Sequence, residues 1–457
     1  MGHCSRKEPR LKSLSRYAWL VPTLSLAGLT ACALAFGSAR PAPKAHPKAK
    51  VAAAPATVTY AHDIAPILYQ NCTTCHRAGE VAPFTLASYA DAKKRARQIA
   101  LVTDQRVMPP WKADSHGEFQ DERRLTAGQI ALLKQWADKG APEGSPADLP
   151  PVPRFASGWV LGEPDLVVAP PKPYTVEAEG RDIYRCYVIP TDFAEDRYVS
   201  AVDVHPGNRA VVHHAIAYVD TGGTARRLEA KAGDGSPGYP EFGGLGFMPA
   251  GMLGGWAPGS MARRLPGDTG ILLPKGADIV LEVHYHKNGK PETDQTRVAL
   301  YFNAGTVARP MHLFPLVNTG LHIMPGDKDY EIRARLPVLF DTTLITVFPH
   351  MHVLGRRMTV TATLPDGTTR PLIDVPDWDF NWQGFYAYKQ PVHLPAGSRV
   401  DLVAHYDNSP GNPRNPSNPP KVVTWGEQTT DEMCLCYLGF TVDAEHAPKQ
   451  AKTARSR

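Results

Sequence analysis

The sequence predicts a multidomain protein: a small all-α domain followed by two all-β antiparallel sandwich domains. Three observations carry that prediction. The chain has 457 residues, too many for one core at the usual ~100–200 residues per domain. Its 38 Gly and 44 Pro, beside 43% hydrophobic residues, suit short strands and turns better than long helices. Helical patterning also stops near Gly140, and from Trp159 onward apolar residues recur in short alternating runs.

At the N-terminus, Arg6, Lys7, Arg10, Lys12 and Arg16 precede an apolar run over 17–39, the pattern of a secretory signal. Within it, Leu29-Thr30-Ala31-Cys32 resembles the lipobox of bacterial lipoproteins. Cleavage after Ala39, or retention as a membrane anchor, fits equally. All three readings put the body of the protein outside the cytoplasm, in a periplasm or lipid-anchored to a bacterial membrane. Residues 40–57, rich in Ala, Pro and Lys, read as a flexible linker. The boundaries expected after it are 58–147 for the helical domain, 148–305 and 306–443 for the two sandwiches, and 444–457 for a disordered tail.

In the helical domain, 88–104 reads as a helix with a Ser-x-x-Asp start. Thr126-Ala127-Gly128-Gln129 opens another in the capping-box pattern, with Ile130, Leu133, Trp136 and Ala137 on one face. The strand candidates are 198–204, 211–219, 278–286, 297–303, 330–336, 344–354, 358–364 and 399–406, separated by turns such as Pro365-Asp366-Gly367. The formal charge of +5 is carried largely by the two ends. The folded part has no concentrated basic stripe, so nucleic acid is excluded as a partner. Cys186, Cys434 and Cys436 are left over from the leader and the motif described next. That odd number, two of them only two residues apart, gives no disulfide framework.

Gln70 to Gly79 reads QNCTTCHRAG. C-x-x-C-H is the attachment signal for c-type haem, in which Cys72 and Cys75 bond the macrocycle and His76 becomes an axial ligand. A redox dithiol would need a βαβ setting, and a zinc site would need a second cysteine pair. Met108, held by prolines in the loop Val107-Met-Pro-Pro-Trp111, is the candidate sixth ligand; the alternative is a core methionine. The segment 58–146 resembles a small bacterial cytochrome c, which implies one covalently bound haem c and electron transfer without peroxide binding.

The sandwiches carry grouped histidines. In VFPHMHVLG, His350 and His352 stand two apart and on a strand would face one point. A copper that visits Cu(I) favours a soft third ligand, and Met433 in TTDEMCLCYLGF is the candidate. His213 and His214 are adjacent and would normally point to opposite faces, so both reach one ion only where the strand twists or bulges. In LEVHYHKNG, His284 and His286 share a side. His205, His312, His322, His393 and His405 show no grouping and read as ordinary polar residues.

In order along the chain, HH, HY, H-x-H and EMC resemble the copper type II, ascorbate-dependent monooxygenases, the family of peptidylglycine α-hydroxylating and dopamine β-monooxygenases. The resemblance spans 184–440. It implies two jelly-roll domains, each with one copper, facing each other across a solvent-filled cleft. It implies that His213, His214 and His284 hold an electron-transfer copper. His350, His352 and Met433 would hold the copper that meets oxygen and substrate, with Tyr437 as a substrate contact. The implied partners are molecular oxygen, a small organic substrate, and an external donor, either an ascorbate-like reductant or a periplasmic redox protein. Phe348 and Leu435 stand where the peptide-processing branch has an arginine and an asparagine, so a C-terminal peptide glycine is not the expected substrate. Two other classes stay open: a non-catalytic periplasmic electron-transfer or metal-binding protein, and a zinc hydrolase, for which Met433 is an odd ligand.

Overall fold

A computed structural model describes residues 57–445 apart from 81, 156–157, 242–243 and 259. The expected leader with Cys4 and Cys32, the linker up to residue 56, and the tail from 446 lie outside the described residues. No helix among the described residues is long and apolar enough to cross a membrane.

The helical part comprises a π-helical turn, Tyr60–Ile64, running into Ala65–Asn71, then Tyr89–Lys94, Ala96–Asp104 and Ala127–Asp138. Both bonds of the Thr126/Gln129 capping box are made, satisfying N–H groups that the first helical turn leaves without partners. Ile64, Leu68, Leu133 and Trp136 are fully buried in one small core. The single helix expected over 88–104 is instead two. Arg95 leaves helical geometry at φ −117° and ψ 12°, and its guanidinium sits 3.6 Å from the centre of the Phe84 ring.

An eight-stranded sheet runs through the rest. Its order is Leu166–Val168, Arg297–Phe302, Arg197–His205, Thr269–Leu273, Arg309–Val317, Leu435–Val442, Thr342–His350 and Tyr386–Leu394. Its first half faces a five-stranded sheet of Tyr239–Pro240, Ile183–Pro190, Asp278–Tyr285, Val212–Asp220 and Gly251–Trp256. Its second half faces a four-stranded sheet of Tyr330–Pro337, Arg399–Tyr406, Gly355–Thr363 and Thr369–Val375. Each pair encloses its own apolar core, one around Val283, Leu281 and Val199, the other around Val347, Val360 and Leu402. The halves join where Arg309 and Pro310 run parallel to Thr269 and Gly270. The chain is therefore mostly β-sheet with few helices, as two-layer packing of alternating strands requires.

The loop after Asp104 does not stay with the helices. Phe119 pairs as an isolated bridge with Tyr388, and Asp114 and Gln120 donate backbone N–H bonds to Asp374 and Ala387. Ala113 and Phe119 enter the second sandwich core, while Trp111 packs edge-on against Tyr386 at 5.1 Å. This loop therefore joins the helical part to the second sandwich.

Candidate metal centre

Strand Val212–Asp220 pairs with Asp278–Tyr285, but the register slips between Val212 and His214. His213 is the extra residue of a β-bulge, which turns its ring to the side that His214 already faces. Opposite, His284 pairs with His214. Ligand atoms of His213, His214 and His284 lie within 4.8 Å of one another. The Nδ1 atoms of His213 and His214 are 3.2 Å apart, and Nδ1 of His284 is buried without a partner.

The Nε2 of His284 is held by Asp182 at 2.9 Å, and Tyr184 stacks on the ring at 4.1 Å. A carboxylate behind a histidine fixes which nitrogen is left for a metal. Burial pushes His213 down to about 2 and His214 well below the usual range, with neighbouring rings adding to the effect. These imidazoles are neutral, as metal ligands must be. Three converging rings, with one orphaned nitrogen on His284 and its other nitrogen held by Asp182, fit a copper ion. His286 also bonds Asp182, at 3.0 Å, but its side chain is 70% exposed and it lies outside the cluster.

His350 and His352 come together by a route the sequence did not suggest. The strand ends at His350, so strand alternation does not align the pair. The loop beyond it is captured by Glu432, a fully buried carboxylate. Glu432 accepts N–H bonds from His352 at 2.8 Å, Leu354 at 2.6 Å and Met433 at 3.3 Å. One side chain thus ties the H-x-H loop to the methionine segment. The two rings lie 5.2 Å apart and nearly perpendicular. His350 directs Nδ1 at the Gln383 amide oxygen, 2.5 Å away, and His352 directs Nδ1 at the Asp431 carbonyl, 3.1 Å away. Both Nε2 atoms are left for a metal. Burial lowers His350 to about 4 and His352 to about 3. Replacing Gln383 with alanine frees the His350 ring, and copper affinity at this pair should fall roughly 10–100-fold; competition with a Cu(I) chelator measures it.

Both histidine groups line one cavity of about 130 Å³, together with Met433, Tyr437, Phe348 and Leu435. Phe380 stands between them, stacked on His213 at 5.1 Å and edge-on to His352 at 5.7 Å. The resemblance implied a solvent-filled cleft; here the two groups share a small space with several aromatic rings in its wall. Phe348 stacks on Phe385 at 4.1 Å and lies 6.2 Å from Tyr437. Sequence reading missed Asp182, Gln383, Phe380 and Glu432. Of these, only Glu432 had a signal, its place beside Met433.

Residues 319–453 match the family model "Copper type II ascorbate-dependent monooxygenase, C-terminal domain". This part of the chain is similar to the C-terminal domain of the copper type II monooxygenases. The match includes His350, His352, Met433 and Tyr437, and supports a copper-dependent oxidoreductase that uses oxygen, a substrate and a reductant. It does not reach the HH or C-x-x-C-H segments. No curated protein sequence matches the chain. Among solved structures, infectious bursal disease virus Gx strain overlaps at 10% identity, 63% of this chain, 74% of that chain and TM-score 0.19. PNGase F, a glycosylasparaginase from Flavobacterium meningosepticum, overlaps at 9% identity, 63% of this chain, 97% of its own and TM-score 0.29. The major capsid protein P2 of bacteriophage PM2 gives 8%, 61%, 97% and 0.24. These overlaps are too loose to bear on fold or chemistry.

In the helical part, Cys72 and Cys75 are unpaired, as are Cys186, Cys434 and Cys436. His76 directs Nδ1 at the Phe84 carbonyl, 3.2 Å away, which leaves Nε2 for an axial bond. Two free thiols thus stand beside an oriented imidazole. Met108 lines a cavity of about 400 Å³ with Trp111, Leu125 and Ile130. Cys75 lines a different one of about 530 Å³, so the structure does not bring Met108 into the cavity of the motif. The histidines read as ordinary include His205, stacked on Trp159 at 4.0 Å, and His312 and His405, which face Glu445 and Asp329.

Proposed function

We propose that this chain is a copper-dependent monooxygenase that hydroxylates a C–H bond of a small organic substrate with O2, drawing electrons through a fused c-type haem. The observation that carries the reading is the single cavity lined by His350, His352 and Met433 on one side and by the three-histidine cluster on the other. His350, His352 and Met433 would hold one copper; His213, His214 and His284 would hold a second. Bound copper supplies one-electron redox chemistry and oxygen activation, and a thioether suits its cuprous state. Cys72, Cys75 and His76 would hold the haem, whereas Met108, the sixth ligand expected from sequence, lines a separate cavity.

The protein's own part is binding and exclusion. Phe348, Phe385, Leu435 and Tyr437 form an apolar wall, and among the described residues no arginine or lysine lines the cavity. That wall favours an uncharged or weakly polar substrate over a carboxylate. Fusion holds the donor at an effective concentration that a free reductant need not reach. An ascorbate-like compound or a periplasmic redox protein would recharge it, with the chain secreted or lipid-anchored through its N-terminal segment. Rapid mixing of reduced protein with oxygen and substrate should show haem oxidation that requires copper. Equal oxidation in copper-free protein would remove the relay from the reading.

A further inference from the structure

We infer that Lys112, carried by the loop that leaves the helical part, is a positioning residue for the His350/His352 pair, an inference that rests on the function proposed above. It acts through the segment 377–383. Nζ of Lys112 lies 3.0 Å from the Asp377 carboxylate and 3.8 Å from that of Asp379, and the lysine side chain is only 11% exposed. A cation so far withdrawn from water needs its counter-charges. The two aspartates flank Trp378, which is buried and donates its indole N–H to the His352 carbonyl at 3.0 Å. His352 is thereby tied to the segment through its own backbone.

His350 is tied through a side chain. Asp379 turns its second carboxylate oxygen to the backbone and side-chain N–H groups of Asn381, at 3.1 and 3.0 Å, and its carbonyl accepts from Trp382. That closes a tight turn. Within it, the Phe380 carbonyl accepts from the Gln383 amide at 2.9 Å, which fixes the sense of that amide and leaves its oxygen for Nδ1 of His350. The same turn sets Phe380 between the two histidine groups. The loop of Lys112 also holds the ends of this stretch: Asp114 donates to the Asp374 carbonyl and Gln120 to that of Ala387, both at 2.8 Å. Lys112 is the middle tie of the three, and the one whose loss frees the turn without unpairing a backbone group.

The test uses full-length protein carrying Lys112→Met, which keeps the length of the side chain without its charge, or Lys112→Arg, which keeps the charge. In metal-free protein, amide hydrogen exchange across 377–383 should quicken by about tenfold in Lys112→Met and by no more than roughly twofold in Lys112→Arg. Competition with a Cu(I) chelator should then show copper held about tenfold more weakly by Lys112→Met. Placed on top of Gln383→Ala, the same substitution should weaken copper by no more than about threefold further, because the tie to His350 is already cut and only that to His352 remains. Should Lys112→Met not fold, Asp379→Asn, which keeps an acceptor for Asn381 but loses the charge facing the lysine, takes its place in every measurement. Unchanged exchange across the segment, unaltered copper affinity, or weakening that adds in full to that of Gln383→Ala overturns the inference. Protein that binds no copper before substitution overturns the proposed function instead, and the metal-free exchange alone then decides whether Lys112 positions the segment.

Discussion

Replacing Glu432 with alanine should cost the second sandwich about 3–5 kcal/mol, or prevent it from folding. The carboxylate is wholly enclosed and receives the backbone N–H groups of His352, Leu354 and Met433. Removing it strands three buried donors, each costing about 1–3 kcal/mol when left without a partner. The loop carrying His352 then loses its tie to the segment carrying Met433. Glu432→Gln keeps an acceptor but turns an amide N–H₂ toward one of the donors, so its loss should be smaller. Denaturant unfolding monitored by tryptophan fluorescence reads the cost, and copper content reads the site. An alanine variant as stable as the parent, with full copper, would show that the clamp does not hold the site.

His352→Ala should lower hydroxylation by about three orders of magnitude, some 4 kcal/mol of barrier. Only His350 and Met433 would then remain of that ligand group. The His213, His214 and His284 cluster belongs to the other sandwich, on strands Val212–Asp220 and Asp278–Tyr285, and should keep its own copper. The expected variant is therefore half-loaded, reducible and inactive. Product analysis by mass spectrometry beside copper quantification checks both halves of the statement.

The class of fold was legible because alternation is a local signal. Runs such as 399–406 carry their buried face in every second residue, and the strand observed there is Arg399–Tyr406. The capping box at Thr126 is equally local. What depends on distant partners was not legible. The break at Arg95 comes with Phe84, eleven positions earlier. The seating of Phe119 comes from Tyr388. At the site, the candidate residues could be read from HH, HYH, HMH and EMC, but not what aims their side chains. The bulge at His213 exists only in the register with the neighbouring strand. His352 lies past the strand's end, aimed by a carboxylate 80 residues away. Gln383 and Phe380 sit in a loop with no pattern that marks them.

The most direct test of the central claim is metal analysis combined with X-ray absorption of the reduced protein. The account predicts two coppers per chain, with a sulfur neighbour to one of them that disappears in Met433→Leu while nitrogen ligation persists. Protein that takes up no copper, or whose copper shows no sulfur neighbour before the substitution, would contradict it.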